Sequence, residues 1–546
     1  MLLGLEAMAR SERKQEQGWK AAAFIIGVEF GERLAYYTIA SNLITFLTGE
    51  LQKGLAVAAQ SVNTWMGVTT IVPLAGAFLA DTYFGRYRMV LYSTFVYIMG
   101  LALMTLTVSI PFFKTAIKIQ GAFFYLGLYL VSLGTGGHKP CLQAFGADQF
   151  EEADSEEVRR EKASFFNWWF AILALGVVVA ATVVVYVQDN VGWGLGYGIP
   201  TMTMVITLIV FMFGSPFYVC VRPEGSPLTS VAQVLVAAFH KRGLVHPLDP
   251  SLLHEDSSVG EGKRLLDHTN TLRFLDKAAI KDSSIDLKDS NPWTLCTLTQ
   301  VEETKLVMRM VPIWTTCLAL GITIAQSTTF FIKQGATMDR SVFHNFKIPA
   351  ASLIAVSAFT GFLFSIIYDY CFHKKSKETL NLTLTLTLTQ RIGIGLFLSI
   401  STTGVAALVE TRRLHVAPHH LMSVFWLVPQ FFLLGITDVF ALVGIQEFFY
   451  TQMPDSMRSQ GMALYLSVIG VGSFLSSFVI SVIDKGSRLG RHGSWFNNNL
   501  NMARLDYFYW CLTALNLINF GFYIYVARKY TYKKVKEGVA NGPSAA

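Results

Sequence analysis

Apolar runs and polar breaks alternate along the whole chain, and twelve of the runs are long enough to cross a bilayer. They lie near residues 21–47, 61–80, 89–113, 121–145, 164–187 and 197–220, and then 304–332, 349–372, 391–409, 421–450, 459–483 and 505–527. A span needs about 20 residues to cover roughly 30 Å of hydrocarbon. Backbone polar groups in lipid must be satisfied within the segment, so each run predicts a helix and the fold class is all-α. Six runs precede and six follow a polar stretch. This predicts an N-terminal six-helix bundle over 1–221, a cytoplasmic linker over 222–303 and a C-terminal six-helix bundle over 304–546. A long charged linker suits two bundles that rock about a central site. Within it, 227–242 (PLTSVAQVLVAAFHKR) is amphipathic with a basic end and predicts a helix along the cytoplasmic face. Residues 243–292 are polar and predict a mobile segment. Leu and Thr alternate over 380–389, a strand-like period, but the place just before the ninth run predicts a loop or helix start.

The first run differs from the rest, because Glu29, Glu32 and Arg33 stand in its middle. At about 100° per residue these three and Tyr36 share roughly a third of the helical circumference. Each such charge costs about 2.5–3.5 kcal/mol at a bilayer centre, so this face must line a cavity or meet partners. Two more charges fall inside runs. Lys139 sits in Gly134-Thr-Gly-Gly-His-Lys-Pro140, where glycines and Pro140 are expected to loosen the helix and free carbonyls toward a cavity. Glu447 sits in the tenth run, and Arg309 is a third buried cation by position. Three acids against Arg33 and Lys139 leave a balance of minus one, which one bound proton would neutralise. A carboxylate parted from its basic partner gains proton affinity, and this is a physical basis for proton coupling. Asp438, nine residues before Glu447, falls on the opposite face of a regular helix and reads as capping or packing.

Composition narrows the class. The chain has 546 residues, 52% of them hydrophobic and only 15% charged, with a mean hydropathy of +0.43, so it is a polytopic membrane protein with the lipid bilayer as its solvent. A net charge of +7 implies no nucleic acid here, because lysine and arginine concentrate in loops on one side and set the orientation, both termini inside. The last external loop breaks that pattern with Lys485, Arg488, Arg491 and Arg504. The six cysteines are scattered without CxxC spacing, so no disulfide framework or metal site is expected. No cofactor motif, GxxxxGK[ST], HExxH or GxSxG occurs, which argues against an ATP-driven pump and against an enzyme. Residues 1–20 carry no signal-peptide core, so the first helix is expected to do the targeting.

Between the second and third runs, Asp81, Arg86 and Arg88 can form cytoplasmic ion pairs that latch one conformation, a gating role. Five motifs in order then carry a resemblance. They are Glu29-x-x-Glu32-Arg33, the segment Gly76 to Arg88 (GAFLADTYFGRYR), Gly134 to Phe150 (GTGGHKPCLQAFGADQF), Phe165-Phe-Asn-Trp-Trp169 and Gln446-Glu-Phe-Phe449. Together they resemble the plant nitrate/peptide transporter family, a branch of the proton-dependent oligopeptide transporters in the major facilitator superfamily. The resemblance implies the major facilitator fold and proton symport by alternating access. It also implies Glu29, Glu32 and Arg33 as the proton-coupling set, with Lys139 as switching partner and anion contact and Glu447 as gate and substrate contact.

Two departures bear on substrate. Ile324 stands where nitrate-transporting members of one kind carry a histidine, and Ala174 stands where the family has an asparagine. Arg33, Tyr36, Lys139 and Glu447 remain as the expected substrate contacts, for nitrate, a di- or tripeptide or an organic anion, with protons as the coupled partner. Proton-independent facilitation of nitrate or a plant metabolite or hormone is the alternative. The membrane is expected to be the plasma or the vacuolar membrane.

Overall fold

The computed structural model describes residues 2–150, 156–220, 227–244, 253–254, 268–280, 291–343, 346–369, 386–453, 458–489, 493–530 and 532. Six long helices form the first half: α1 (Leu2–Gly49), α2 (Leu55–Leu79), α3 (Arg86–Ser109), α4 (Ile117–Ala147), α5 (Glu156–Val179) and α6 (Trp193–Phe213). A linker helix, α7 (Pro227–His240), follows. The second half holds α8 (Leu298–Ser327), α9 (Ile354–Asp369), α10 (Leu388–Val416), α11 (Val428–Thr437, resumed at Val443–Gln452), α12 (Arg458–Arg488) and α13 (Leu505–Lys529). Among the described residues eleven helices are long and apolar enough to span a membrane. The twelfth span is α1, kept out of that set by the charges in its middle. Wider π-helical turns interrupt three spans, at Ala80–Phe84, Ala180–Val184 and Asp438–Leu442, and hydrophobic periodicity gave no sign of them.

The chain divides into two compact bodies. The first holds residues 1–226, 317–445 and 463–520. Its core runs through α1, where Leu43, Ile44, Phe46 and Leu47 are fully buried. Phe46 stacks on Phe124 of α4 at 4.3 Å between ring centroids. On the side where α1 ends, the external side by charge distribution, polar bonds join the two halves. Asn63 donates to Ser476 at 2.9 Å, Lys333 donates to Thr48 at 2.9 Å, and the amide of Leu55 donates to Asn498 at 2.9 Å. Asn42 and Arg340 converge on Asp189, at 2.9 and 4.0 Å. The basic external loop is explained locally, since Arg488 pairs with Asp484 at 3.0 Å and Arg504 lies 4.0 Å from Asp506. Arg491 lies outside the described residues. Helix α10 starts one residue after Thr387, whose hydroxyl accepts from the Gln390 amide while the Gln390 side chain accepts from the Thr387 amide, a reciprocal cap. Residues 380–385 of the Leu-Thr stretch lie outside the described residues.

The second body holds residues 227–316, 446–462 and 521 onward. Val234, Ala237 and Ala238 of α7 pack with Leu275, Ala278 and Ala279 of a 3₁₀ turn, Arg273–Ala279. Most of 243–292 lies outside the described residues, but 268–280 is folded, contrary to the expected mobility. The apolar cluster in RFLDKAAI supplies enough burial to order it. Lys305 of α8 is fully buried there, 2.5 Å from Asp276 and 2.7 Å from Glu302. Arg309, counted above with the intramembrane cations, instead donates to Thr269 and Thr271 of this segment.

Candidate functional site

The site begins with the polar face of α1. Gly31 lies between the two acids, and a Cβ there would fall 2.0 Å from the Thr207 hydroxyl of α6. A glycine at this position lets α6 close on the back of α1. Glu29 and Glu32 are buried to 1% and 0% exposure. Arg33 donates its Nε to Glu29 Oε1 at 2.5 Å, one helical turn away, and the same nitrogen lies 3.5 Å from Glu32 Oε2. Lys139 of α4 reaches in from the other side, with Nζ 3.8 Å from Glu32 Oε1 and 3.5 Å from the centre of the Tyr36 ring. Tyr36 in turn stacks on Trp65 of α2. Four of the expected site residues and Tyr36 therefore form one cluster, and Glu32 stands between its two cations. No hydrogen bond reaches either Glu32 oxygen among the described residues.

One feature differs from expectation. The glycines around Lys139 do not loosen the helix. Helix α4 is continuous through Pro140, and Gly136 serves close packing instead, since a Cβ there would fall 2.3 Å from Val72 of α2. Glu447 is half-buried in the last part of α11, within the second body.

Sequence reasoning passed over four residues. His138 is fully buried beside Lys139 with neither ring nitrogen hydrogen-bonded among the described residues, and it lies within electrostatic reach of Glu32. Only its place next to Lys139 pointed to it. Asp438 lies in the π-helical turn of α11. The even 100° count that set it aside fails across such a turn. Tyr37 of α1 lies within electrostatic reach of it. At the expected gate, Arg86 hydrogen-bonds Asp148 and lies 3.8 Å from Asp81. Asp148, inside the quoted GADQF motif, is the acid that was overlooked. Arg88 is exposed and joins no ion pair among the described residues.

Comparison with known proteins places this arrangement. The pattern of the POT family matches residues 87–496. Protein NRT1/ PTR FAMILY 5.6 of Arabidopsis thaliana is 46% identical over 536 residues, covering 96% of this chain and 93% of its own. Protein NRT1/ PTR FAMILY 5.7 of the same plant is 44% identical over 547 residues, covering 97% of this chain and 91% of its own. The crystal structure of an auto inhibited POT family peptide transporter superposes with a TM-score of 0.70 at 19% identity, covering 94% of this chain and 98% of that one. At that identity the superposition establishes the fold, two six-helix bundles of the major facilitator type. Family pattern, full-length kinship and fold agree, and the chain is therefore a multi-pass membrane transporter of the POT family, not an enzyme.

Proposed function

We propose that this chain is a proton-coupled symporter that moves a small anion or carboxylate-bearing solute, such as nitrate or a di- or tripeptide, by alternating access. The observation that carries this reading is Glu32, fully buried, without a hydrogen bond among the described residues, and shared between Arg33 and Lys139. A buried carboxylate left without its cation costs about 3–5 kcal/mol. A proton on Glu32 removes that cost and frees the Lys139 ammonium for the carboxylate or anion of a substrate. The Tyr36 ring keeps the ammonium in place during the exchange, a contact worth about 2 kcal/mol when desolvated. Arg33 stays aimed by Glu29.

In this scheme Glu29, Glu32, Arg33 and Lys139 couple to the proton, and Arg33, Tyr36, Lys139 and Glu447 meet the substrate. Asp81, Arg86 and Arg88 gate the cytoplasmic side, with Asp148 as the acid that completes the latch. The membrane is the plasma or the vacuolar membrane. The test is uptake of nitrate and of a dipeptide, offered separately at acidic and neutral external pH, by the parent and by Glu32→Gln. Acid-stimulated uptake of one solute, lost in the variant, is the expected result. Uptake indifferent to both pH and the substitution would mark a facilitator instead.

A further inference from the structure

Glu302, Lys305 and Arg309 stand at i, i+3 and i+7 on one face of α8 and meet the folded linker segment 268–280. The first two are neutralised within the second body. Lys305 lies 2.5 Å from Asp276 and 2.7 Å from Glu302, and its ammonium also donates to the Thr269 carbonyl at 2.8 Å. His268 joins this group, with Nε2 3.1 Å from the other oxygen of Asp276. His268, Asp276 and Glu302 are close enough to hold a metal ion, but the ammonium is already seated among them. Arg309 differs. It joins no ion pair among the described residues, and its Nε is withdrawn from solvent without a hydrogen-bond partner. Its Nη2 is shared between two neutral hydroxyls, that of Thr269 at 2.8 Å and that of Thr271.

These two threonines are not alike. Thr269 is fully engaged: its amide donates to Glu302 Oε1 at 2.9 Å, its hydroxyl donates to Oε2 at 2.6 Å, and its carbonyl accepts from Lys305. A further negative group on that hydroxyl would be set against the Glu302 carboxylate. Thr271 is exposed, in a stretch without helix or strand, and touches only Arg309 and, at 3.4 Å, the Thr269 hydroxyl. Arg273, two residues on, is also exposed, with Asn270 as its partner at 3.0 Å and no ion pair among the described residues. An exposed hydroxyl thus stands beside one guanidinium that lacks an acid and close in sequence to a second. Phosphate is the group that such planar donors hold best.

We propose that Thr271 is a phosphorylation site of the linker and that Arg309 of α8 is the residue that holds its phosphate, with Arg273 as the second cation. This goes beyond the symport reading and does not depend on it; it rests on the cytoplasmic placement of the linker expected from the lysine and arginine distribution. In the reaction a protein kinase passes the γ-phosphoryl of ATP to the Thr271 hydroxyl oxygen. The bond to the β-phosphate oxygen breaks, ADP leaves, and the hydroxyl proton goes to the base of the kinase. The product carries about 1.5 to 2 negative charges at neutral pH. Arg309 then exchanges neutral acceptors for an ionised one, and charge-assisted bonds are about twice as strong, so segment 268–280 is held more firmly to α8.

The test uses the full chain in lipid nanodiscs, incubated with ATP and a leaf cytosol fraction as the source of kinase. After trypsin, the peptide 265–273 (LLDHTNTLR) should carry one phosphate, placed on Thr271 by fragmentation, and the same peptide from Thr271→Ala should carry none. Phosphate on Thr269 alone, or on neither threonine, would overturn the site. The role of Arg309 is read separately, with phosphothreonine installed at 271 by codon suppression. Followed by phosphorus NMR, this phosphate should lose its second proton at a lower pH than in the free peptide. Arg309→Gln should remove most of that difference, and Arg309→Lys should restore part of it. Amide exchange over 268–280 should slow several-fold on phosphorylation in the parent and stay unchanged in Arg309→Gln. A phosphate that titrates alike with and without Arg309 would overturn the pairing, and unchanged exchange in the parent would overturn the firmer docking.

Discussion

Lys139 is fixed by Glu32 at 3.8 Å and by the Tyr36 ring at 3.5 Å, so its removal and the removal of Glu32 act on one interaction. Glu32→Gln leaves the ammonium without its acid, while Lys139→Gln leaves Glu32 with Arg33 alone. Each single variant should lower the unfolding midpoint, and the double variant should fall less than the sum, with a coupling of about 0.5–3 kcal/mol. Strictly additive losses in a thermal-shift assay would show the two side chains to be independent. Glu410 offers the contrasting case. Arg413 donates to both its oxygens, at 2.7 and 2.8 Å, and also to Asn501 and the Leu500 carbonyl of the external loop. Glu410→Gln should cost about 3–5 kcal/mol by stranding a buried guanidinium, measured as a lower unfolding midpoint. A third expectation concerns Cys296 in the second body, where burial pushes the thiol up to about 11. Its thiolate is scarce at neutral pH, so maleimide should modify exposed Cys220 well before Cys296, and equal rates would contradict the burial.

At the scale of elements, Gly31 decides how closely α1 and α6 approach. Gly31→Ala places a methyl against Thr207 and should cost about 1–3 kcal/mol, with Thr207→Ala in the same chain restoring part of the loss. No recovery would mean that the glycine is needed for backbone conformation instead. The helices themselves were legible, because runs of about 20 apolar residues have few other fates in a bilayer. So was the ionised face of α1, since four side chains at helical spacing need no tertiary information. Asp438 was not legible, because a π turn shifts the phase on which face assignments depend, and nothing in DVFAL announces one. The partners of Arg309 were hidden for a different reason: Thr269 stands 40 residues before it, a separation that local spacing cannot reveal. The order in 268–280 hid behind the polar residues on both sides, although RFLDKAAI carried the signal. Asp148 was overlooked because the pairing with Arg86 spans 62 residues, a separation that local spacing cannot reveal.

Across the whole transporter, the proposed alternating access requires one side to close while the other opens, and the external bonds define what must break. Asn63 with Ser476, Thr48 with Lys333, Leu55 with Asn498 and Asp189 with Arg340 all tie the first half to the second. Each is a neutral or partly solvated contact worth about 0.5–1.5 kcal/mol, so together they hold the closed state without locking it. Removing two should shift the population several-fold, since 1.4 kcal/mol is a factor of ten. Asn63→Ala combined with Lys333→Gln is expected to open the external side more often. A Thr328→Cys reporter measures this, because Thr328, buried just past the end of α8, directs its hydroxyl at Met66 of α2 in the other half. In a chain without the accessible cysteines, an impermeant thiol reagent added outside should label the reporter several-fold faster in the double variant than in the reporter alone. Equal labelling would mean that these bonds follow closure without contributing to it, and the balance would then rest with ring contacts between the halves such as Tyr186 stacked on Phe346.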